Sequence, residues 1–174
     1  RMKPFAARGY LIANSRSEVK LVYAGFLVFA AIGVLTMVAL VVGRIGFSWD
    51  GVVTHYRGGD FGGEMRFARS FGEMMEVTHF HAFIMGPVYL TLAHLFIATS
   101  VSSTVRWTVI VGTFVALIGD LGGMWLVRYV SEWFAPWMLL CWVGEWLGMG
   151  AMIVIPLVEI SRPLPDEDPD EDDA

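Results

Sequence analysis

Three of the chain's four histidines lie in one apolar stretch, EVTHFHAFIMGPVYLTLAHLF, which covers residues 76–96. Imidazole ligates haem iron and many metals, and it titrates near neutral pH. His79, His81 and His94 are therefore the first candidates for cofactor binding. Two acids, Asp120 and Glu145, lie in later apolar stretches. Ionisable side chains are rare in such segments and usually face a protein interior or a cavity, so both are candidates for a polar network.

Haem b is one cofactor that these histidines could hold. At about 1.5 Å per residue, His94 lies about 20 Å along a helix from His79 and His81. One haem therefore cannot join His94 to either of the other two. A haem held within one chain would need a histidine with methionine or another weak ligand. The alternative is a histidine from another subunit or from a second copy of the chain.

A copper or zinc ion is the second candidate. The pair His79 and His81, with Glu76 and the loop residue His55, supplies nitrogen and oxygen ligands that suit either metal. The His-x-His spacing brings two imidazoles together in an extended segment or at a fraying helix end. Residues 78–81 are predicted to lie at such an end.

A polar network without a metal is the third interpretation. Counted at about 1.5 Å per residue, His79, His81, Asp120 and Glu145 all fall in the same half of the membrane. They could meet if their helix faces agree, and such a group could handle protons or a quinone. A purely structural role, with hydrogen bonds between neighbouring helices, is the simplest alternative.

These residues must be positioned by membrane-spanning helices. The chain has 174 residues and is 56% hydrophobic, which is typical of membrane proteins rather than soluble domains. Four apolar stretches are long enough to cross a bilayer, at about residues 21–42, 77–98, 107–127 and 136–158. The second and third connections are short, so we expect an all-α, integral membrane, four-helix up-down bundle. Two groups of glycines should let helices approach closely: Gly119, Gly122 and Gly123, then Gly144, Gly148 and Gly150.

The domain organisation follows from these spans. Residues 1–162 form one transmembrane domain, and residues 163–174 form an acidic tail with the composition of disorder, unless a basic partner surface holds it. The long first connection is predicted to fold as an ordered outer loop over the helix ends. Within it, residues 65–76 have helical spacing that would turn Met65, Phe67, Phe71 and Met75 inward. Lysine and arginine favour the side that carries both termini, which predicts cytoplasmic termini.

Three short motifs carry a family resemblance. They are YRGG at residues 56–59, THFHAF at 78–83 and GDLGGMWLVRYVSEWFA at 119–135. With them, residues 20–160 resemble a family of small bacterial four-helix membrane proteins that have a Thr-His-x-His motif and accompany respiratory and c-type cytochrome systems. The resemblance implies the bacterial inner membrane and a place in electron transport, with His79 and His81 as the residues of interest.

Together these observations predict a small integral subunit of a bacterial electron-transfer complex, with a structural or assembly role and with or without haem b. The alternatives are a copper- or zinc-binding accessory protein and a subunit that handles quinone or protons. No nucleophile–base pair or phosphate loop indicates catalysis by the chain alone. The predicted partners are larger membrane subunits, lipids and a quinone, and nothing in the charge pattern suggests nucleic acid.

Overall fold

The structure is a computed structural model that describes residues 11–162. The predicted acidic tail, residues 163–174, lies outside the described residues. Four helices are long and apolar enough to cross a membrane, which confirms the predicted all-α membrane fold. They are α1 (Ser17–Leu40), α3 (Phe71–Ile97), α4 (Ser103–Trp125) and α5 (Ala135–Ile160). Two of them continue into π-helical turns, α1 through Val41–Ile45 and α4 through Leu126–Val130.

The connection between α1 and α3 forms a folded cap. It contains the short helix α2 (Trp49–Arg57) and an antiparallel hairpin of β1 (Gly59–Phe61) and β2 (Glu64–Arg66). Gly58 ends α2 with φ of 82°, and a Cβ there would come within 2.7 Å of the Ala68 nitrogen. Only glycine fits this turn without strain. We call the membrane face that carries this cap the cap side. The opposite face, where residues 11 and 162 lie, is the terminal side.

The start of α3 differs from the prediction. The second span was expected from about residue 77, but α3 begins at Phe71, because Ser70 and Glu73 form a reciprocal capping box there. The predicted interfacial helix over residues 65–76 is therefore wrong. Met65 belongs to β2 and is 73% exposed, and Phe67 is 88% exposed. Met74, whose side chain was not among those predicted to face inward, is the residue that packs into the core.

Helix α5 is the central element of the bundle. It packs against α1, α3 and α4, and it carries more of the buried residues than any other described element. One core cluster lies on the terminal side around Leu27, Phe96 and Met152. A second lies beneath the cap around Val52, Met74 and Trp142. Along α5, Glu145 lies between Trp142 of the second cluster and Met149 of the first.

The closest helix pair is α4 with α5, and glycines make it possible. A Cβ on Gly119 would come within 2.6 Å of the Cys141 Sγ, and a Cβ on Gly148 would overlap the Thr113 side chain. Gly144 similarly faces Ala116. Four of the six predicted glycines thus have close neighbours, including Gly123 against Met138, whereas Gly122 and Gly150 have open space.

Candidate functional site

Two adjoining cavities lie in the cap-side half of the bundle. The cap cavity, of about 220 Å³, lies beneath α2 between the cap-side parts of all four spans. The lateral cavity, of about 210 Å³, lies between α3 and α4 and has a mostly apolar lining. Four residues line both of them: His81, Asp120, Leu121 and Glu145. Three ionisable side chains from three helices therefore stand at the junction of the two cavities.

Glu145 is the most buried of these three residues. Its position in α5 is about 15 Å from the cap-side end of that helix. The side chain is only 3% exposed and accepts no hydrogen bond within residues 11–162. Its carboxyl group faces the cavities instead of a neighbouring helix. A buried carboxyl with unused hydrogen-bonding capacity can bind a polar group that enters the cavity.

Asp120 is fixed by an aromatic donor on the next helix. The indole Nε1–H of Trp142 in α5 donates to Oδ1 of Asp120 at 2.7 Å. The ring of Trp142 is buried and stacks on Trp146, with ring centroids 6.4 Å apart. This contact holds one carboxyl oxygen of Asp120 and leaves the second oxygen available to the cavities.

The tautomer of His81 follows from its backbone contact. Its Nδ1 lies 2.8 Å from the carbonyl oxygen of Val77. Because a carbonyl oxygen only accepts, Nδ1 carries the proton in this bond, and Nε2 of the neutral ring is then an acceptor. At the junction of the cavities, Nε2 of His81 can accept a hydrogen bond from a ligand.

The roof of the cap cavity is built by α2 and the residues before α3. Nη1 of Arg69 pairs with Oε1 of Glu73 at 2.9 Å, and its Nη2 lies 3.5 Å from Nε2 of His55. Burial, helped by the positive charges of Arg69 and Arg66, lowers the pKa of His55 from 6.5 to about 4. Burial also raises the pKa of the Tyr56 phenol. Both residues are therefore neutral at physiological pH.

The threonine of the Thr-His-x-His motif joins two helices. The hydroxyl of Thr78 donates to the carbonyl oxygen of Met74 at 2.8 Å and accepts the indole N–H of Trp125 at 2.9 Å. On the same side, Nε of Arg128 donates to the carbonyl oxygen of Arg69 at 2.7 Å. These bonds fix α3 and the cap to the cap-side end of α4, and so they hold the roof over the cavities.

The structure brings together some of the predicted site residues and separates others. His55, His81, Asp120 and Glu145 line the cap cavity. His79 lines neither cavity; like His81 it is exposed, and its ring lies 4.8 Å from that of Phe83. Two residues along a helix correspond to about 200° of rotation, so His79 and His81 face different directions.

The remaining predicted ligands also lie apart. Glu76 is exposed near the start of α3, and His94 is exposed in its last turn, on the terminal side. Among residues 11–162, no three His, Cys, Asp or Glu side chains are grouped so as to hold a metal ion. The haem, copper and zinc assignments stay predictions, and the acid pair with His81 is the stronger candidate site.

Sequence reasoning missed three residues of this site. Arg69 and Tyr56 form the roof, and Trp142 orients Asp120. The sequence does contain a signal for Trp142, which lies in the same span as Glu145. A buried indole N–H needs an acceptor, and Asp120 is one of few acceptors in the neighbouring spans. Arg69 gave no such signal, since its position depends on the tertiary fold of the cap.

The fold and the cavities define a small integral membrane protein with four spans and three ionisable side chains that line joined cavities in one half of the bundle. A family model described as a transmembrane helical domain, Aq_1264_TM, matches residues 46–167. The chain belongs to this family. The comparisons with curated proteins and with solved structures gave no match.

Proposed function

We propose that this protein is a small membrane subunit of a bacterial electron-transfer complex that binds the headgroup of a lipophilic quinone in its two joined cavities. The observation that supports this proposal is the junction itself. His81, Asp120 and Glu145 line both a capped cavity and an apolar one. A quinone needs this combination, because its ring and tail are apolar while its two oxygens form hydrogen bonds and exchange protons.

The size of the lateral cavity suits one ring. A protein cavity of about 150 Å³ accepts benzene, so a cavity of about 210 Å³ has room for a substituted six-membered ring. Phe114 and Ile118 line this cavity and are 50% and 56% exposed. The cavity therefore opens on the apolar surface between α3 and α4. An isoprenoid tail could pass through this opening into the bilayer.

The polar groups favour a ligand that carries hydroxyl donors. Nε2 of His81, the second oxygen of Asp120 and the carboxylate of Glu145 all accept hydrogen bonds when unprotonated. A quinol presents two O–H donors, and its oxidation to the quinone releases two protons and two electrons. In the proposal, the acids and His81 take the protons. The electrons pass to a redox centre of a partner subunit, which makes the chain a binding subunit and not an enzyme on its own.

The membrane in which the chain lies and its orientation there are part of the same proposal. The resemblance to respiratory-system proteins and the distribution of lysine and arginine support the bacterial inner membrane with cytoplasmic termini. The cap would then lie on the periplasmic side. The apolar surface of α1, where Leu21 is 75% and Phe29 is 77% exposed, would face lipid or a larger subunit.

Tryptophan fluorescence of the purified chain in detergent tests quinone binding. Trp142 and Trp146 line the cap cavity, so a bound quinone should quench their emission in a saturable way. We expect Glu145→Gln and His81→Gln each to raise the Kd for a short-chain quinol about tenfold, since an amide cannot take a proton from the quinol and forms a weaker hydrogen bond than the carboxylate or imidazole it replaces.

The matched control is His79→Gln, which changes the same residue type two positions from His81 but outside the cavities. It should leave the Kd within about twofold of the wild-type value, because surface changes away from a site have small effects. Equal weakening by His79→Gln and His81→Gln, or quenching that never saturates, would count against the proposal.

A further inference from the structure

A third concavity lies on the cap side, outside the bundle. We call it the basic depression; it has a volume of about 440 Å³. Three arginines from separate parts of the chain line it: Arg44 from the turn that ends the first span, Arg66 from β2, and Arg69 from the residues before α3. The tertiary fold of the cap therefore brings three positive charges together that are far apart in the sequence.

Acidic residues do not balance these charges. Among residues 11–162, Glu64 is the only acid that lines the basic depression, and Arg69 forms its ion pair with Glu73. Within residues 11–162, neither Arg44 nor Arg66 forms an ion pair. The field is positive, as the effect of Arg66 and Arg69 on His55 also indicates. An anion that enters the depression would be attracted by two guanidinium groups that form no ion pair, those of Arg44 and Arg66.

The guanidinium of Arg66 is held in place before any ligand binds. Its Cζ lies 4.4 Å from the centroid of the Phe61 ring, and its Nη1 donates to the carbonyl oxygen of Ile45 at 3.4 Å. Since Phe61 pairs with β2 in the hairpin, the hairpin fixes this side chain. An anion would bind with a smaller loss of side-chain entropy than at a free surface arginine.

The depth and the apolar border of the depression indicate the kind of anion. Arg44 lies at the end of the segment Ser17–Ile45, which is long and apolar enough to cross a membrane, so lipid headgroups are expected at its depth. Phe67 lines the depression and is 88% exposed. An exposed phenyl ring adds nothing to the binding of a small soluble anion. A lipid, in contrast, carries acyl chains next to its phosphate, and these chains can contact the ring.

We propose that the basic depression binds the phosphate of an anionic phospholipid of the cap-side leaflet, with the acyl chains beside Phe67. Arg44 and Arg66 contact the phosphate, and Arg69 adds positive charge while it stays paired with Glu73. This site is separate from the proposed quinone site, although His55 and Arg69 border both the basic depression and the cap cavity. A bound lipid would hold the cap against the membrane surface.

Native mass spectrometry of the delipidated full chain tests the proposal. Phosphatidylglycerol should bind with a lower Kd than phosphatidylcholine, and the double variant R44Q/R66Q should weaken phosphatidylglycerol binding at least tenfold. Arg16→Gln is the matched control, because Arg16 is an exposed arginine on the terminal side. It should leave the binding unchanged.

Two further arms separate the possible outcomes. Arg44→Lys keeps the charge and should retain most of the affinity, and thermal unfolding of each variant shows whether the cap still folds. Equal binding of the two lipids, or equal effects of R44Q/R66Q and Arg16→Gln, would overturn the proposal. Full displacement of phosphatidylglycerol by millimolar inorganic phosphate would overturn the assignment to a lipid.

Discussion

The indole of Trp142 in α5 donates a hydrogen bond to Asp120 in α4 across 2.7 Å, at the wall of the cap cavity. Each partner satisfies a group that would otherwise be costly inside the membrane: an indole N–H in a buried ring, and an acid in a transmembrane helix. The bond also orients Asp120, so that its other oxygen faces the cavities. Structure and proposed function thus depend on the same contact.

We expect Trp142→Phe to destabilise the chain, because it removes the donor and leaves Asp120 unpaired. The free energy of unfolding in mixed micelles should fall by about 1 to 2 kcal/mol, a range typical of hydrogen bonds between transmembrane helices. The control is Trp133→Phe, since Trp133 is 75% exposed. If the two variants unfold at the same denaturant concentration, the Trp142–Asp120 bond does not stabilise the fold.

The close packing of α4 and α5 predicts opposite effects at two neighbouring glycines. Gly148→Ala places a Cβ against Thr113 and should cost about 1 to 3 kcal/mol, as overpacking does elsewhere. Gly150→Ala meets open space and should be neutral or stabilising by up to about 1 kcal/mol, because alanine has the higher helix propensity. Thermal unfolding of the pair in one detergent measures the difference. Equal losses would contradict the close approach at Gly148.

On the terminal side, the buried acid Glu159 is expected to stabilise the fold by joining two parts of the chain. Glu159 is 4% exposed, and it accepts hydrogen bonds from the backbone N–H of Ser100 at 2.8 Å and from its hydroxyl at 2.5 Å. The bonds fix the connection between α3 and α4 to the end of α5. A double-mutant cycle of Glu159→Gln with Ser100→Ala should give a coupling energy of about 1 to 2 kcal/mol. A coupling energy near zero would show that the two residues act independently.

The lowered pKa of His55 predicts a pH dependence of stability. Above pH 6.5 the imidazole is neutral in the folded and the unfolded chain, so it contributes no pH dependence there. As the pH falls from 6.5 towards 4, the unfolded chain binds a proton that the folded cap does not, and the folded state loses stability. The Tm of the wild-type chain should therefore fall further than that of His55→Gln between pH 7.5 and pH 4.5. Parallel Tm curves would contradict the burial of a neutral His55.

The sequence predicts the membrane elements well, because hydropathy and length decide which segments cross a bilayer. The same depth arithmetic correctly places His81, Asp120 and Glu145 in one half of the bundle, where the structure joins them at the two cavities. It does not give the rotation of each helix. Depth alone groups His79 with His81, but a rotation of about 200° directs His79 away from the cavities.

The sequence predicts an ordered loop over the helix ends, but it does not predict the secondary structure inside this cap. Its short helix and hairpin depend on the turn at Gly58 and on tertiary contacts. One such contact is the hydrogen bond from the backbone N–H of Arg69 to the carbonyl oxygen of Tyr56, at 3.1 Å. Glu159 was missed for a related reason. From the sequence alone, an acid near the end of an apolar span is expected to face the lipid headgroups. Only the hydrogen bond from Ser100 in the folded structure shows that Glu159 is held inside.

Photo-crosslinking with an azido-quinone tests the central claim most directly. The full chain in lipid nanodiscs is labelled, digested and mapped by mass spectrometry, with an excess of unmodified quinone as competitor. The account predicts competed labels on α3, α4 and α5 near His81, Ile118 and Glu145, and strong loss of labelling in Glu145→Gln. Labelling spread over the exposed face of α1, or labelling that the competitor does not reduce, would contradict a quinone site in these cavities.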